Sequence, residues 1–307
     1  MRVFLTGGTG LIGTRIVRDL KERGDQPVVL TRNAEGAKKK FGEGVEIVEG
    51  DPTVEGDWMG VIENCEGVIN LAGENVFAKR WNDKFKEKVR MSRLNATDNV
   101  VKALARNPRT GEGQPKVLVS ASAIGYYGAS EEEEFTEEGR PGDDYMAQVC
   151  VDWEKHALEA ESHGIRVALV RVGVVLDKEG GALAKMWTPF KMFVGGKVSN
   201  GKQWMSWVHH EDIKGIFLHA LDNDVSGPLN GVAPNPVRNK EFTKAFGKAL
   251  GRPTIFPIPR FMLRLMLGEV ADVIATGQKV IPKRTQEVGY TYKFPHIAEA
   301  LQDVVSK

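Results

Sequence analysis

The chain has 307 residues, 41% of them hydrophobic, which is enough for one large domain or two that share a core. Its 42 lysines and arginines nearly balance its 41 acidic residues, and this balance argues against a surface dedicated to nucleic acid. Cys65 and Cys150 lie far apart without metal-ligand spacing, which is typical of a reducing compartment. An apolar strand begins at Val3, and no apolar run approaches the ~20 residues of a membrane span. We therefore expect a cytoplasmic protein without a leader that binds neither nucleic acid nor membrane.

Short β-branched segments alternate with longer amphipathic segments through the first half of the chain. This order predicts an α/β fold with a Rossmann-type, doubly wound parallel sheet. The predicted strands are Val3–Thr6, Val28–Thr31, Glu46–Val48, Gly67–Leu71, Val117–Ala121 and Val167–Arg171. The clearest predicted helices are Leu11–Arg23, Asn82–Arg106 and Tyr145–Ser162.

From Asp177 onward the alternation gives way to glycine, proline and aromatic residues. We expect a nucleotide-binding domain over residues 1–176, to which residues 205–232 return. Residues 177–204 and 233–307 should form a smaller C-terminal substrate lobe over the carboxyl ends of the strands, where ligands bind in such sheets. The acidic run Glu131–Gly139 and the lysines Lys38–Lys40 are interpreted as solvated surface, because blocks of like charge repel. A lid or a cation site is the alternative for the acidic run.

The segment TGGTGLIG, residues 6–13, follows the first predicted strand and opens a helix. In a dinucleotide site one glycine makes the tight turn, another lets the pyrophosphate approach, and a third packs helix against strand. The helix amino terminus then offers its N–H groups to the phosphates. A tight turn without ligand is the alternative. The predicted cofactor contacts from this segment are Gly7, Thr9, Gly10, Leu11, Ile12 and Gly13.

The end of the second strand indicates which dinucleotide binds. NAD enzymes usually carry an acidic residue there for the ribose 2′-hydroxyl, whereas this chain has Thr31 and Arg32. An arginine can pair with a 2′-phosphate and a threonine can add a hydroxyl, so NADP(H) is favoured. An exposed surface arginine is the alternative. Asp51, after the third strand, could contact the adenine side or cap a turn.

The fourth strand and the helix after it add further candidates for cofactor binding. The strand ends in NLAG, and the small residues after Leu71, including Ala72, would let a dinucleotide lie across the strand end. Arg93 lies within the apolar stripe of the following helix, where a guanidinium needs an anion or several acceptors. The cofactor phosphates would satisfy it; an arginine extending to the helix edge is the alternative.

These segments, together with VLVSASAIGYYG, Tyr145 and WVHHEDI, resemble the extended short-chain dehydrogenase/reductase family. The segments VRVGVVL, LNGVAP and GQKVIPKRTQEVGYTYKFP are similar to its NADP-binding epimerase family branch, whose members carry a C-terminal domain of unknown function. The resemblance covers nearly the whole chain. It indicates the fold and the cofactor more strongly than the reaction.

The resemblance also implies catalytic roles. In the wider family a serine holds the substrate oxygen, a tyrosine exchanges its proton, and a lysine one turn later lowers the pKa of the tyrosine and binds the nicotinamide ribose. Ser122 and Tyr145 occupy the first two positions, but Val149 stands where the lysine is expected. A tyrosine has a pKa of ~10, so without a nearby cation it cannot act as a base near neutrality. Val175 is expected to bring the backbone near the nicotinamide.

Several polar or basic residues are candidate substitutes for the missing lysine. By helix geometry, Lys155 lies about 15 Å along the axis from the tyrosine and His156 slightly farther, too far to reach it. Gln148 is close but uncharged, and a lysine of the smaller lobe, such as Lys197 or Lys202, could fold in. Tyr126 and Tyr127 could line the same pocket.

The residues HHED at 209–212 include metal-ligand types, but adjacent side chains diverge and no spaced partner is evident, so we expect no metal. The favoured function is an NADP(H)-dependent oxidoreductase or epimerase-like enzyme acting on a small carbonyl or hydroxyl compound. The alternative is a non-catalytic NADP(H)-binding regulatory or scaffold protein. By family analogy, a homodimer would form through the helices Asn82–Arg106 and Tyr145–Ser162.

Overall fold

The computed structural model describes residues 1–106 and 117–306. The strands within these residues are β1 (Arg2–Thr6), β2 (Gln26–Thr31), β3 (Glu46–Glu49), β4 (Gly67–Asn70), β5 (Val117–Ala123), β6 (Glu134–Phe135), β7 (Arg166–Val172), β8 (Val174–Leu176), β9 (Trp204–Met205), β10 (Trp207–His209), β11 (Gly227–Gly231), β12 (Val237–Arg238) and β13 (Lys279–Val280). The α-helices are α1 (Leu11–Glu22), α2 (Ala34–Phe41), α3 (Trp58–Ile62), α4 (Asp83–Ala105), α5 (Tyr145–Leu158), α6 (Gly181–Lys191), α7 (His210–Asp222), α8 (Asn239–Leu250), α9 (Arg260–Leu267), α10 (Val270–Ala275), α11 (Lys283–Glu287) and α12 (Ile297–Ser306).

The central sheet has seven strands in the order β11-β7-β5-β4-β1-β2-β3, and every pair in it is parallel. The six strands predicted from the sequence all belong to it, and β11 is the seventh. This arrangement confirms the predicted Rossmann-type fold. The strand order reverses between β1 and β4, and the crevice at such a switch point is where open α/β sheets bind their ligands.

The predicted helices begin at or next to their expected residues, and side-chain caps define the start of two of them. The Asn82 side chain accepts the Phe85 N–H at the start of α4, and the Asp144 side chain accepts the Ala147 N–H at the start of α5. Helix α5 is shorter than predicted. It ends at Leu158, and a 3-10 turn over Glu159–His163 continues the chain.

Apolar layers cover both faces of the sheet. On one face Ile16 of α1 and Ile216 of α7 belong to the same buried cluster as the strand residue Val119. On the other face Val100 of α4 is clustered with Phe4 and Leu118. A strand covered on both faces needs apolar side chains in both directions, which explains the continuous hydrophobic runs of the sequence. Among the described residues, no helix combines the length and hydropathy that a bilayer span demands.

A third apolar cluster lies in the C-terminal part of the chain. It contains Phe190 of α6, Phe242 and Phe246 of α8, and Leu301 of α12, and the Phe190 and Phe246 ring centroids are 4.6 Å apart. The chain returns to the main sheet through β11. The domain boundaries expected from the sequence stay a prediction.

The acidic run is not uniformly solvated, and the sequence interpretation was wrong for Glu137. This side chain is buried, and its carboxylate accepts hydrogen bonds from the Asn230, Arg284 and Thr285 N–H groups and from the Thr285 hydroxyl. The exposed glutamates 131–134 agree with the interpretation. The charge pattern of the run alone cannot reveal that one of its carboxylates fastens α11 to the sheet.

Candidate cofactor and substrate site

The glycine-rich loop between β1 and α1 has a geometry that only glycine permits. Gly7 has φ +64°, and a Cβ there would lie 2.8 Å from the Leu71 carbonyl carbon. A Cβ on Gly13 would lie 2.4 Å from the Gly7 oxygen. Gly10 precedes α1 without a side-chain cap, so the first N–H groups of the helix have no side-chain acceptor from this position. The loop therefore has the close backbone approach and the open helix terminus that a pyrophosphate requires.

A buried polar network connects the carboxyl ends of β1, β4 and β5. The Thr6 hydroxyl donates to Asn70 Oδ1 at 2.6 Å and accepts the N–H groups of Leu71 and Ala72 at 3.2 Å. Asn70 Nδ2 donates to Ser120 Oγ at 3.2 Å. This network holds Leu71 and Ala72 beside the glycine loop. Sequence reasoning missed Thr6, Asn70 and Ser120, although a polar residue ending an apolar strand was a visible signal.

The end of β2 presents one buried and one exposed candidate. Thr31 is buried, and its hydroxyl oxygen accepts the Asn33 N–H at 3.2 Å, whereas Arg32 is exposed. Asp51 Oδ1 accepts the N–H and the hydroxyl of Thr53, so it caps a turn, one of its two expected roles. Burial alone would raise the pKa of Asp51, but these bonds and the nearby Arg32 charge lower it.

Arg93 lies against the end of β4. A Cβ on Gly73 would lie 3.1 Å from the Arg93 Cζ, and Nη1 donates to the carbonyl oxygens of Glu74 and Val89. Its guanidinium centre is 5.1 Å from the centroid of the Trp153 ring. Burial lowers the pKa of Arg93, because within residues 1–106 and 117–306 its hydrogen bonds reach only neutral carbonyls. A desolvated cation held this way is well suited to an anionic ligand.

Ser122 is buried, and its hydroxyl donates to Glu154 Oε1 at 2.6 Å. Glu154 in turn binds Arg171 through two hydrogen bonds of 2.8 Å. Burial alone would lower the pKa of Arg171, but the bonds and charge of Glu154 raise it. Because the Ser122 proton points at Glu154, this oxygen can accept a hydrogen bond from a ligand more readily than donate one.

The network continues from Arg171 to the two tyrosines after β5. Arg171 Nη1 donates to the Tyr127 hydroxyl, which donates to Asn230 Oδ1, and the guanidinium stacks 3.5 Å from the Tyr126 ring centroid. Burial raises the pKa of Tyr127 to about 12, so this phenol stays protonated at neutral pH. Tyr127 is therefore a structural connector, and Tyr126 is the more accessible of the two.

Tyr145 is half-buried at the first turn of α5. Its hydroxyl donates to the Lys86 carbonyl oxygen of α4, and its ring meets Trp81 edge-on at 5.9 Å. Burial, followed by the charge of Glu87, raises the pKa of Tyr145, and Arg93 and Arg90 oppose the shift. The phenol therefore holds its proton at neutral pH and suits a general acid better than a base.

The position of the missing lysine is an apolar part of the interior, since Val149 is 1% exposed. Gln148 Nε2 donates to Asp152, and His156 pairs with Asp98, so both are engaged elsewhere. Lys155, Lys197 and Lys202 are exposed. Sequence reasoning missed Lys86, whose Nζ lies 5.9 Å from the Tyr145 ring centroid and pairs with Glu269 at 2.5 Å. It comes from a neighbouring helix, which spacing along α5 could not indicate.

Val175 lies in β8, which pairs with β10 beyond the end of the main sheet. A Cβ on Gly181 would lie 3.6 Å from the Val175 oxygen and 3.5 Å from Leu11 Cδ2, so the structure brings Val175 near the start of α1. The glycine loop, Leu71, Arg93 and Val175 thus belong to the carboxyl side of the sheet.

His209 and His210 do have a spaced partner, which the sequence did not reveal. Asp303 of α12 brings a carboxylate to them, and one potential ligand atom from each residue lies within 4.8 Å of the others. His209 Nδ1 accepts the Glu211 N–H, so in a neutral ring Nε2 carries the proton and faces Asp303 Oδ2 at 3.2 Å. In this tautomer Nε2 carries a proton and has no lone pair to offer a metal ion.

Two family models match the chain: the NAD dependent epimerase/dehydratase family over residues 3–232 and the domain of unknown function DUF1731 over residues 258–304. The chain belongs to the NAD dependent epimerase/dehydratase family. This family branch, in which an epimerase domain precedes DUF1731, is the one that the sequence resemblance indicated.

Two relatives and one solved structure match this epimerase family chain over 99% or more of its length. The chloroplastic epimerase family protein SDR39U1 homolog of Arabidopsis thaliana is 41% identical over 310 residues, which cover 99% of this chain and 87% of the relative. The epimerase family protein SDR39U1 of Homo sapiens is 37% identical, and the match covers 100% of both chains. The crystal structure of human SDR39U1 (isoform 2) with NADPH is 34% identical, covers 100% of this chain and 99% of that one, and superimposes with a TM-score of 0.86.

Proposed function

We propose that the protein is an NADP(H)-dependent oxidoreductase or epimerase-like enzyme that acts on a small carbonyl or hydroxyl compound. The observation that carries this proposal is the combination of the glycine loop with Arg32, an exposed cation where an NAD enzyme would place an acid. The NADPH complex of the human relative supports the choice of cofactor.

The proposed cofactor contacts are the backbone and side chains on the carboxyl side of the sheet. The loop from Gly7 to Gly13 would hold the pyrophosphate, Thr31 and Arg32 the 2′-phosphate, and Arg93 a cofactor phosphate. Leu71, Ala72 and Val175 would flank the cofactor with small or apolar surface. When bound, the nicotinamide would supply or accept a hydride.

The chain's own contribution to the reaction would come from Tyr145 and Ser122. Because burial raises the Tyr145 pKa, its phenol would donate a proton to a substrate carbonyl oxygen during reduction. To do so the phenol must exchange its bond to the Lys86 carbonyl for one to the substrate. Ser122, whose hydroxyl donates its hydrogen bond to Glu154, would accept a hydrogen bond from a substrate hydroxyl.

A non-catalytic NADP(H)-binding protein is the second candidate. Specific observations favour it: Val149 is apolar and buried, and both proposed catalytic hydroxyls already donate to protein oxygens. In this case the bound cofactor would stabilise a conformation that a partner protein recognises. A homodimer and a cytoplasmic location stay predictions in either case.

The first experiment is a calorimetric titration of the protein with NADPH, NADP+ and NADH. We expect NADPH and NADP+, which carry the 2′-phosphate, to bind tightly. Arg32→Ala should weaken both at least ~10-fold, because a charge-assisted bond contributes about 1.5–3 kcal/mol. Arg140→Ala is the matched control, since Arg140 is another exposed arginine. Equal affinity for NADPH and NADH would contradict the role of Arg32.

Turnover separates the two candidates. NADPH oxidation is followed against a panel of aldehydes, ketones and dicarbonyls with the wild type and Tyr145→Phe. The enzyme hypothesis predicts a loss of about 100-fold in rate, the usual contribution of a general acid, with NADPH affinity unchanged. Equal rates in both proteins, at the level of free NADPH, would favour the binding protein.

A further inference from the structure

Lys40 lies against the glycine-rich loop. Its Nζ donates to the Thr9 carbonyl oxygen at 2.9 Å, although the two residues are 31 positions apart. Lys40 belongs to the last turn of α2, the helix that begins directly after Arg32 and its neighbour Asn33. All three lysines of the run are exposed, as the sequence interpretation holds, and Lys40 in addition reaches back to the loop.

The charges around Lys40 do not neutralise it. Burial lowers the pKa of Lys40, and the positive charge of Arg18 on α1 lowers it further, while Glu179 after β8 acts in the opposite sense. Glu179 is itself within 3.6 Å of Arg15. In the part of the chain that the structure describes, neither Lys40 nor Arg18 forms an ion pair with a carboxylate. An anion bound between Lys40 and Arg18 would relieve the repulsion between their two positive charges.

We propose that Lys40 is a second cation for the 2′-phosphate of NADP(H), beside Arg32. The β2–α2 unit supplies both residues: Arg32 precedes the helix, and Lys40 returns from its last turn to the loop. A ribose phosphate carries about −1.5 to −2 charges at neutral pH, more than one guanidinium neutralises. The arginine offers a planar fork and the lysine a point charge, so the two are complementary.

This inference rests on the proposed NADP(H) cofactor, so the test measures binding directly. The dissociation constants of NADPH, NADH and adenosine 2′,5′-bisphosphate are measured for the wild type, Lys40→Gln and the control Lys39→Gln. Lys39 is the adjacent lysine and is exposed like Lys40, but of these two described residues only Lys40 donates a hydrogen bond to the glycine loop. Lys40→Gln is expected to weaken NADPH and the bisphosphate about 10-fold and to leave NADH unchanged, as one charge-assisted bond predicts. Lys39→Gln should change none of the three, and Lys40→Arg should restore most of the affinity.

The other outcomes each have a definite meaning. Equal weakening of NADPH and NADH would assign Lys40 to the pyrophosphate and overturn the proposal. Unchanged affinities in Lys40→Gln, with the wild type still preferring NADPH, would overturn the proposal and leave the cofactor assignment standing. A wild type that binds none of the three would overturn the proposed function as well. Thermal unfolding of each variant shows whether a lost affinity reflects lost folding.

Discussion

Arg171 of β7 and Glu154 of α5 form a buried ion pair through two parallel hydrogen bonds of 2.8 Å, with side chains only 4% and 7% exposed. Ser122 donates to the carboxylate, and the Tyr127 oxygen accepts from the guanidinium, so both charges have further partners. Removing one member of such a pair leaves an uncompensated charge in the interior, which is far more costly than losing a surface pair. This pair therefore ties the helix that carries Tyr145 to β7 of the central sheet.

Arg171→Met should destabilise the protein by about 3–5 kcal/mol, because Glu154 would stay buried without its cation. Urea unfolding measures the change. Arg90→Met provides the comparison, since Arg90 pairs with Asp152 at the surface, where such pairs contribute about 0–1 kcal/mol. Similar losses in the two variants would show that the buried pair has no special role.

Replacing the two members of the pair together gives a further test. Arg171→Met combined with Glu154→Leu should recover part of the stability that Arg171→Met loses, because no uncompensated charge remains. Additive losses in the double variant would contradict this account of the network.

Gly7→Ala should abolish cofactor binding and destabilise the protein by at least ~1 kcal/mol. The new methyl group would meet the Leu71 carbonyl at 2.8 Å in a backbone conformation that alanine disfavours. Gly24→Ala separates the two causes, because Gly24 has φ +86° but no atom within 4 Å of an added Cβ. We expect Gly24→Ala to lose stability while keeping its NADPH affinity, and a parallel loss of affinity would disprove the steric argument.

Arg93→Met should weaken NADPH binding at least ~10-fold, because a partly buried guanidinium whose hydrogen bonds within the described residues reach only neutral carbonyls is expected to gain most from an anionic ligand. Equilibrium titration gives the affinity. Arg106→Met applies the same change at the C-terminal cap of α4, where Arg106 lies 3.7 Å from Glu55. If Arg93→Met binds NADPH as tightly as Arg106→Met does, Arg93 only fastens the helix to the end of β4.

The stability of the protein should decrease as the pH falls below ~6.5, in part because of His210. Burial and then the charge of Arg15 lower the pKa of this histidine, so the folded state resists the proton that the unfolded state accepts. The stabilisation is complete above the unfolded pKa and is lost as the pH falls from there towards the lower folded pKa. His210→Asn should flatten this part of the urea-unfolding profile, whereas His163→Asn should not. An unchanged slope in His210→Asn would contradict the assignment.

Local patterns in the sequence were sufficient to predict the strands and the glycine-rich turn of the nucleotide-binding part of the protein. β-Branched runs predicted the six strands, and the spacing of Gly7, Gly10 and Gly13 predicted the turn into α1, because both depend on residues close together in the chain. The replacement of the expected lysine by Val149 was visible for the same reason, since helix spacing relates it directly to Tyr145.

Only the tertiary structure decided which distant side chains meet. Glu137 of an apparently solvated run binds α11, Asp303 of the last helix faces His209, and the Lys40 amine reaches Thr9. The sequence by itself determined the local conformation, because that depends on residues close together in the chain. The partners are set by how the elements pack, and burial then determines which charges must be paired and which phenols keep their protons.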